Sequence, residues 1–121
     1  MHDAFIKGFK YGYINKSGEI VIELKYGDAR DFSEGLAAIR IDGLDGYINR
    51  TGQIIIKPQF DYAGKFSEDL ASVRDANDKY GYINKSGAYV IEPKFEDAYK
   101  FTNGRAIVKD VSEKFWKIAD I

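Results

Sequence analysis

Apolar residues along this chain alternate with polar ones or gather in short β-branched runs, and no segment sustains a helical period over three turns. Tyr13-Ile14 and Ile20-Val21-Ile22 flank Asn15-Lys16-Ser17-Gly18, and Leu36–Arg40 carries an alternating pair, Ala37 and Ile39. These runs predict strands, and the Asn-Lys-Ser-Gly element predicts a hairpin turn. Asn15 bonds forward along the backbone, and Gly18 supplies the left-handed residue that closes a G1 bulge. The pattern then returns. Gly12–Gly18 recurs as Gly46–Gly52 and Gly81–Gly87, at steps of 34 and 35 residues, and Gly12–Arg40 aligned on Gly81–Lys109 without a gap gives 16 identities in 29 positions. A fixed period of this length marks an array of supersecondary units, each too small to bury its own apolar face.

A regular hairpin register places Ile14 opposite Ile20, Tyr13 opposite Val21 and Gly12 opposite Ile22. One face then holds Ile14, Ile20 and Ile22, the other Tyr13 and Val21, and both are expected to be covered or in contact with something. Pro58 and Pro93 are expected to end the second strand, where the first copy has Leu24. An irregular stretch follows, with register-matched residues Tyr26, Ala29 and Phe32, then Phe60, Ala63 and Phe66, then Phe95, Ala98 and Phe101. Two aromatics separated by a small residue suit plugging the core between units. The tight turns Ser33-Glu34-Gly35, Ser67-Glu68-Asp69 and Thr102-Asn103-Gly104 lead into a third strand. Its Ala37 and Ile39 face is expected to be buried, and the face bearing Leu36, Ser72 and Lys109 partly wet.

The expected fold class is therefore all-β, a tandem array of three-stranded antiparallel meander repeats of about 35 residues with partial capping strands at both ends. The single domain over 1–121 divides into a partial strand over 3–9, repeats over 10–43, 44–78 and 79–113, and a partial repeat over 114–121. Residues 3–7 match the third strand of a preceding unit, with Phe5 on Ile39, and Trp116-Lys117-Ile118 starts a fourth unit; the whole predicts eleven strands. An open, twisted stack is the first expectation. A closed propeller-like or trefoil-like ring is the alternative, because near-equal copies permit pseudo-threefold symmetry.

Composition narrows the functional classes. Lys and Arg number 18 against 19 for Asp and Glu, so no general field draws the chain to nucleic acid or an anionic membrane, and no nucleic-acid partner is expected. Cysteine is absent, which excludes disulfides and thiolate metal sites. Apolar runs of three to five residues are too short for a membrane span. The stretch His2-Asp3-Ala4-Phe5-Ile6-Lys7 lacks the order of a secretory signal, which favours a cytoplasmic location.

Taken together, these residues resemble the WG-repeat family of β-repeats. The resemblance is carried by Tyr80-Gly81-Tyr82-Ile83-Asn84-Lys85-Ser86-Gly87, Glu92-Pro93-Lys94-Phe95 and Phe32-Ser33-Glu34-Gly35-Leu36-Ala37, and covers roughly residues 10–118. The position where the family usually has Trp is Tyr11, Asp45 and Tyr80 here. The resemblance implies a bacterial-type module used in binding or assembly, and it carries no catalytic residue and no cofactor to transfer.

Candidate chemistry is sparse. His2 is the only histidine, so no Ser-His or Cys-His nucleophile system assembles, and no metal site or cofactor is expected. Asp28, Asp61, Glu96 and Asp97 are the acids an acid-only glycoside hydrolase would need, but they sit in repeated loops where turn residues are ordinary. Asp75-Ala76-Asn77-Asp78-Lys79 has only part of a calcium-loop pattern. Basic columns recur at Lys16, Arg50 and Lys85 and at Arg40, Arg74 and Lys109, and are expected to be solvated edges. The main candidate is the column Tyr13, Tyr47 and Tyr82. Its rings either pack beneath a neighbouring loop or form an exposed ladder able to stack on sugar or peptide. The functional expectation is a non-enzymatic scaffold that binds a protein partner, with carbohydrate or cell-wall binding through the Tyr column as the alternative.

Overall fold

A computed structural model describes Gly8 and residues 10–110. The expected capping segments over 3–9 and 114–121, with His2 and Trp116, lie outside the described residues, Gly8 excepted. Strands β1 (Tyr11–Ile14) and β2 (Ile20–Tyr26) form the first hairpin. A four-stranded antiparallel sheet follows, β3 (Asp28–Ala29), β4 (Ala37–Ile41), β5 (Leu44–Ile48) and β6 (Ile54–Phe60). The next sheet repeats it with β7 (Tyr62–Ala63), β8 (Ala71–Arg74), β9 (Tyr80–Ile83) and β10 (Tyr89–Phe95), and β11 (Asp97–Ala98) pairs with β12 (Val108–Lys109). The chain is all-β, as its pattern predicts.

The hydrogen-bonded sheet is offset from the sequence repeat. Asp42 and Gly43, at φ 52° and 83°, make a two-residue left-handed turn that matches the twist of a hairpin. It folds β4 directly onto β5, with five paired positions from Ala37↔Ile48 to Ile41↔Leu44. Each meander thus joins the third strand of one copy to the hairpin of the next. The irregular stretch adds a two-residue strand as a fourth member, because Asp28 and Ala29 pair with Arg40 and Ile39.

Inside each hairpin the register differs from the regular expectation. Ile14 does face Ile20, but Tyr13 faces Ile22 and Tyr11 faces Tyr26. Val21 is left as the extra residue of a β-bulge, and the second and third hairpins shift in the same places. The glycine of each Gly-Tyr-Ile segment explains the second shift. A Cβ on Gly46 would lie 2.5 Å from the Ile56 carbonyl oxygen and 2.6 Å from the Pro58 nitrogen. Only glycine lets the strands cross so closely. The prolines therefore do not end the second strand. They occupy its irregularity, and the strand runs on to Phe60 and Phe95.

The Asn-x-x-Gly turns form as predicted. Asn15 Oδ1 accepts the Ser17 and Glu19 amides at 3.0 Å each, and Gly18, Gly52 and Gly87 sit at φ 86°, 88° and 90°. Asp69 also takes a left-handed conformation, at φ 68°. Asp75 builds the same turn, with Oδ1 receiving the Asn77 and Lys79 amides at 2.9 and 3.1 Å.

Sheets stack face to face. One core holds Ile22, Tyr26, Ala37, Ile39 and Ile48, and the next holds Leu36, Ala38, Tyr47, Phe60, Phe66 and Val73 among others. Phe66 is fully buried there, in the inter-unit role its spacing predicts. Leu36, Ala38 and Ser72 are also buried, Arg40, Leu70 and Arg74 are half-buried and Lys109 is exposed, so the second face of the third strand is partly wet, as expected. Its buried part reflects the stacking, since β4 and β8 have a neighbouring sheet on each side. The stack is open: Ile14 is 65% exposed at one end and Ile107 74% at the other.

Candidate functional site

The tyrosine column lies between successive sheets. Each hydroxyl donates to a backbone carbonyl 17 residues ahead: Tyr13 to Arg30 at 2.8 Å, Tyr47 to Gly64 at 2.6 Å and Tyr82 to Tyr99 at 2.7 Å. Each ring also meets the plugging phenylalanine of that loop, Phe32, Phe66 or Phe101, with centroids 4.9 Å apart. Burial, then the nearby Tyr26 and Asp31, pushes the Tyr13 pKa up to about 12, and burial followed by Asp45 raises that of Tyr47. The exposed ladder is corrected by this geometry. Tyr47 and Tyr82 are buried and present no ring face to a ligand.

What the bulges expose is apolar. Val21, Ile55 and Val90 are 55, 45 and 56% exposed, beside Ile20 and Ile54 at the same strand starts. The described residues leave this part of the hairpin face uncovered, for a local reason. Strict alternation would put Val21 on the face of Tyr13, but as the extra residue it has no cross-strand partner and projects to solvent. The signal was the recurrence of β-branched residues at matched positions; their outward aim needs the bulge.

A second feature arises where the repeats differ. In the first joint, Arg30 Nη1 donates to Asp45 Oδ2 at 3.1 Å and to the Ala63 carbonyl at 2.7 Å, with its guanidinium 5.0 Å from the Tyr62 ring centroid. Asp45 is buried, and also accepts Arg40 Nε at 2.9 Å and the Ala63 amide at 2.9 Å. Burial alone would lower the Arg30 pKa, but the Asp45 carboxylate reverses that and leaves it raised. In the second joint Gly64 stands in register with Arg30 and Tyr80 with Asp45. Arg74 Nε, the counterpart of Arg40 Nε, is buried without a hydrogen bond and lies 3.9 Å from Asp78 Oδ1. A cavity of about 800 Å³ opens there, walled by Tyr62, Tyr80 and Tyr99, with Lys65, Lys100 and Arg105 among its lining. The Asp97 carboxylate accepts the Tyr99 hydroxyl and so raises the Tyr99 pKa. Aligning Arg30, Gly64 and Tyr99 would have flagged this break in sequence.

The remaining acids are engaged in local contacts. Asp28 and Asp97 each cap the following amide, Ala29 or Ala98, at 2.9 Å, and Glu96 pairs with Lys79. The basic columns are partly engaged rather than simply solvated. Arg50 lies 5.5 Å from the Phe32 ring centroid, and Lys85 Nζ is 3.4 Å from both Glu34 and Asp69. Among the described residues no cluster of His, Cys, Asp or Glu is arranged to hold a metal ion, and no helix is long and apolar enough to cross a membrane.

No curated protein and no solved structure shows significant similarity to the chain. A family model described as "WG containing repeat" matches residues 11–44, 46–80 and 80–110. Three consecutive matches spanning nearly all of the described strands leave one assignment: the chain belongs to the WG containing repeat family.

Proposed function

We propose that this chain is a non-enzymatic binding module that presents the outward column Val21, Ile55 and Val90 to a protein partner. The column carries the reading because it places β-branched side chains in solvent at the same position of three successive units. Exposed apolar side chains arranged in a regular row suit an interface, whereas scattered ones need no explanation. Stacked units hold the row on rigid strands, which lowers the ordering cost of binding. The test is a photo-crosslinking residue placed in turn at Val21, Ile55, Val90 and, as control, at the exposed Asn77, in cells of the native host. One protein joined to the first three positions and not to the fourth supports the reading. Adducts absent from the column, or equal at Asn77, defeat it.

A second reading, carbohydrate binding, is favoured by the cavity in the second joint rather than by the buried column. Tyr62, Tyr80 and Tyr99 offer rings around a space of ligand size, and Lys65, Lys100 and Arg105 suit an acidic sugar. Tyrosine fluorescence titrated with oligogalacturonate should change, while a neutral cello-oligosaccharide should leave it flat. No response to either ends this reading.

A further inference from the structure

The turns between Phe32 and Leu36 and their later copies form a ladder running along the stack. Ser33 and Leu36 exchange backbone bonds at 2.9 and 3.1 Å around Glu34 and Gly35, both left-handed at φ 54° and 84°. The Glu34 carboxylate receives the amides of Glu68 and Asp69 in the next turn at 2.9 and 3.0 Å. The Glu68 carboxylate receives those of Asn103 and Gly104 at 2.6 and 2.9 Å. Beside each pair, Ser33 Oγ donates to the Phe66 carbonyl at 2.8 Å and Ser67 Oγ to the Phe101 carbonyl at 2.7 Å. The middle turn therefore cradles a glutamate from the unit before it and extends one to the unit after it. Bonds of this charge-assisted kind are stronger than neutral ones.

The two ends of the ladder differ. At the first turn, the amides of Glu34 and Gly35 and the carbonyl of Phe32 are the counterparts of groups that are filled twice further along, and none of the described residues fills them. On the same end of the stack, Ile14 is exposed, while its counterparts Ile48 and Ile83 are buried by the preceding sheet. At the last turn, Thr102-Asn103 replaces Ser-Glu, so the outgoing carboxylate is missing.

We propose that the first turn is a docking site for the glutamate of a Ser-Glu turn on a second repeat array, so that this chain extends such an array end to end in one direction. The occupant is specified by the two filled joints. It offers a carboxylate to Glu34 N and Gly35 N, a hydroxyl to the Phe32 carbonyl, and an apolar sheet face to Ile14. A second copy of this same chain is a poor occupant, because the neutral amide of Asn103 has one oxygen and no charge to offer two donors. This reading concerns the end of the stack and is independent of the Val21, Ile55 and Val90 column.

The probe is the chain itself carrying Asn103→Glu, which gives the last turn the missing carboxylate. Sedimentation velocity should show N103E self-associating at least about tenfold more tightly than the parent. Addition of the parent should shorten the N103E assemblies, because the parent offers a cradle and no carboxylate. Amide resonances of Glu34 and Gly35 in the labelled parent should move downfield on adding unlabelled N103E, and the shift should vanish as pH falls below the carboxylate range. An N103E chain that associates no more tightly than the parent overturns the proposal. So does association that leaves the Glu34 and Gly35 resonances unmoved.

Discussion

The Tyr47 hydroxyl donates to the Gly64 carbonyl at 2.6 Å, and both residues are buried between adjacent sheets. The bond fixes the loop of one sheet onto the hairpin of the sheet before it. Tyr47→Phe keeps the ring against Phe66 but strands the carbonyl, a loss of about 1–3 kcal/mol. Urea denaturation of both proteins at neutral pH measures it. An unchanged midpoint and slope would show that the hydroxyl contributes nothing.

The same hydroxyls make the stack sensitive to alkali. An unfolded tyrosine titrates near pH 10, whereas burial pushes the folded value of Tyr13 up to about 12 and raises that of Tyr47. The folded state holds its protons more firmly, so this stabilisation is complete below about pH 10 and declines as pH rises through the folded pKa values. Denaturation midpoints should be level from pH 8 to about 9.5 and fall between about pH 10 and 12. In Tyr47→Phe the fall should be shallower. A level profile through pH 12 would contradict the assigned burial.

Two classes of glycine should respond differently to alanine. Gly52 is left-handed at φ 88°, with only Ile22 side-chain atoms at 3.5 Å or beyond, so Gly52→Ala costs backbone strain of about 1–2 kcal/mol. Gly46 has no such φ, but its added Cβ would meet backbone at 2.5 Å. Gly46→Ala must push two strands apart and should cost about 3 kcal/mol or more. Thermal melts of the two variants rank them, and the reverse order would refute the close crossing.

That contrast shows what was legible in the sequence. The Asn15-to-Gly18 turn depends on local backbone chemistry, and its residues announce it. The role of Gly46 does not, because it depends on where Ile56 and Pro58 cross, and a uniform alternation assigns Val21 to the wrong side for the same reason. Packing of the Tyr47 ring beneath a loop was one of two readings the sequence left open, whereas the Glu34 carboxylate was hidden. Both side chains act on backbone that belongs to the next sheet, and a backbone amide or carbonyl has no side-chain signature. Differences between copies were visible throughout, at Arg30, Gly64 and Tyr99, but their consequence appears only once two sheets are stacked.

Tyr26 departs from its counterparts Phe60 and Phe95 by one oxygen, and that hydroxyl is buried without a hydrogen-bond partner. An unsatisfied buried hydroxyl opposes folding. Tyr26→Phe should therefore stabilise the chain by about 1 kcal/mol, raising the melting temperature by a few degrees. A lower melting temperature would reveal a partner for this oxygen in solution.

Asp45 and Arg30 make the sharpest test of how the joints are built. Asp45→Ala removes the acceptor of two guanidinium groups and of the Ala63 amide, leaving a buried donor unpaired, and should cost about 3 kcal/mol. The second joint shows that the stack tolerates losing both charges together, since Gly64 and Tyr80 occupy the matching positions. Asp45→Tyr alone forces a ring against Arg30, and Arg30→Gly alone leaves the Asp45 carboxylate with one guanidinium fewer. The double variant Arg30→Gly/Asp45→Tyr recreates the neutral arrangement, with room for the ring where the guanidinium stood. Its cost should fall below the sum of the two single costs by at least about 1 kcal/mol, the coupling expected of residues in contact. Additivity within about 0.5 kcal/mol would mean that the two positions act independently, and that the cavity in the second joint does not arise from their joint replacement.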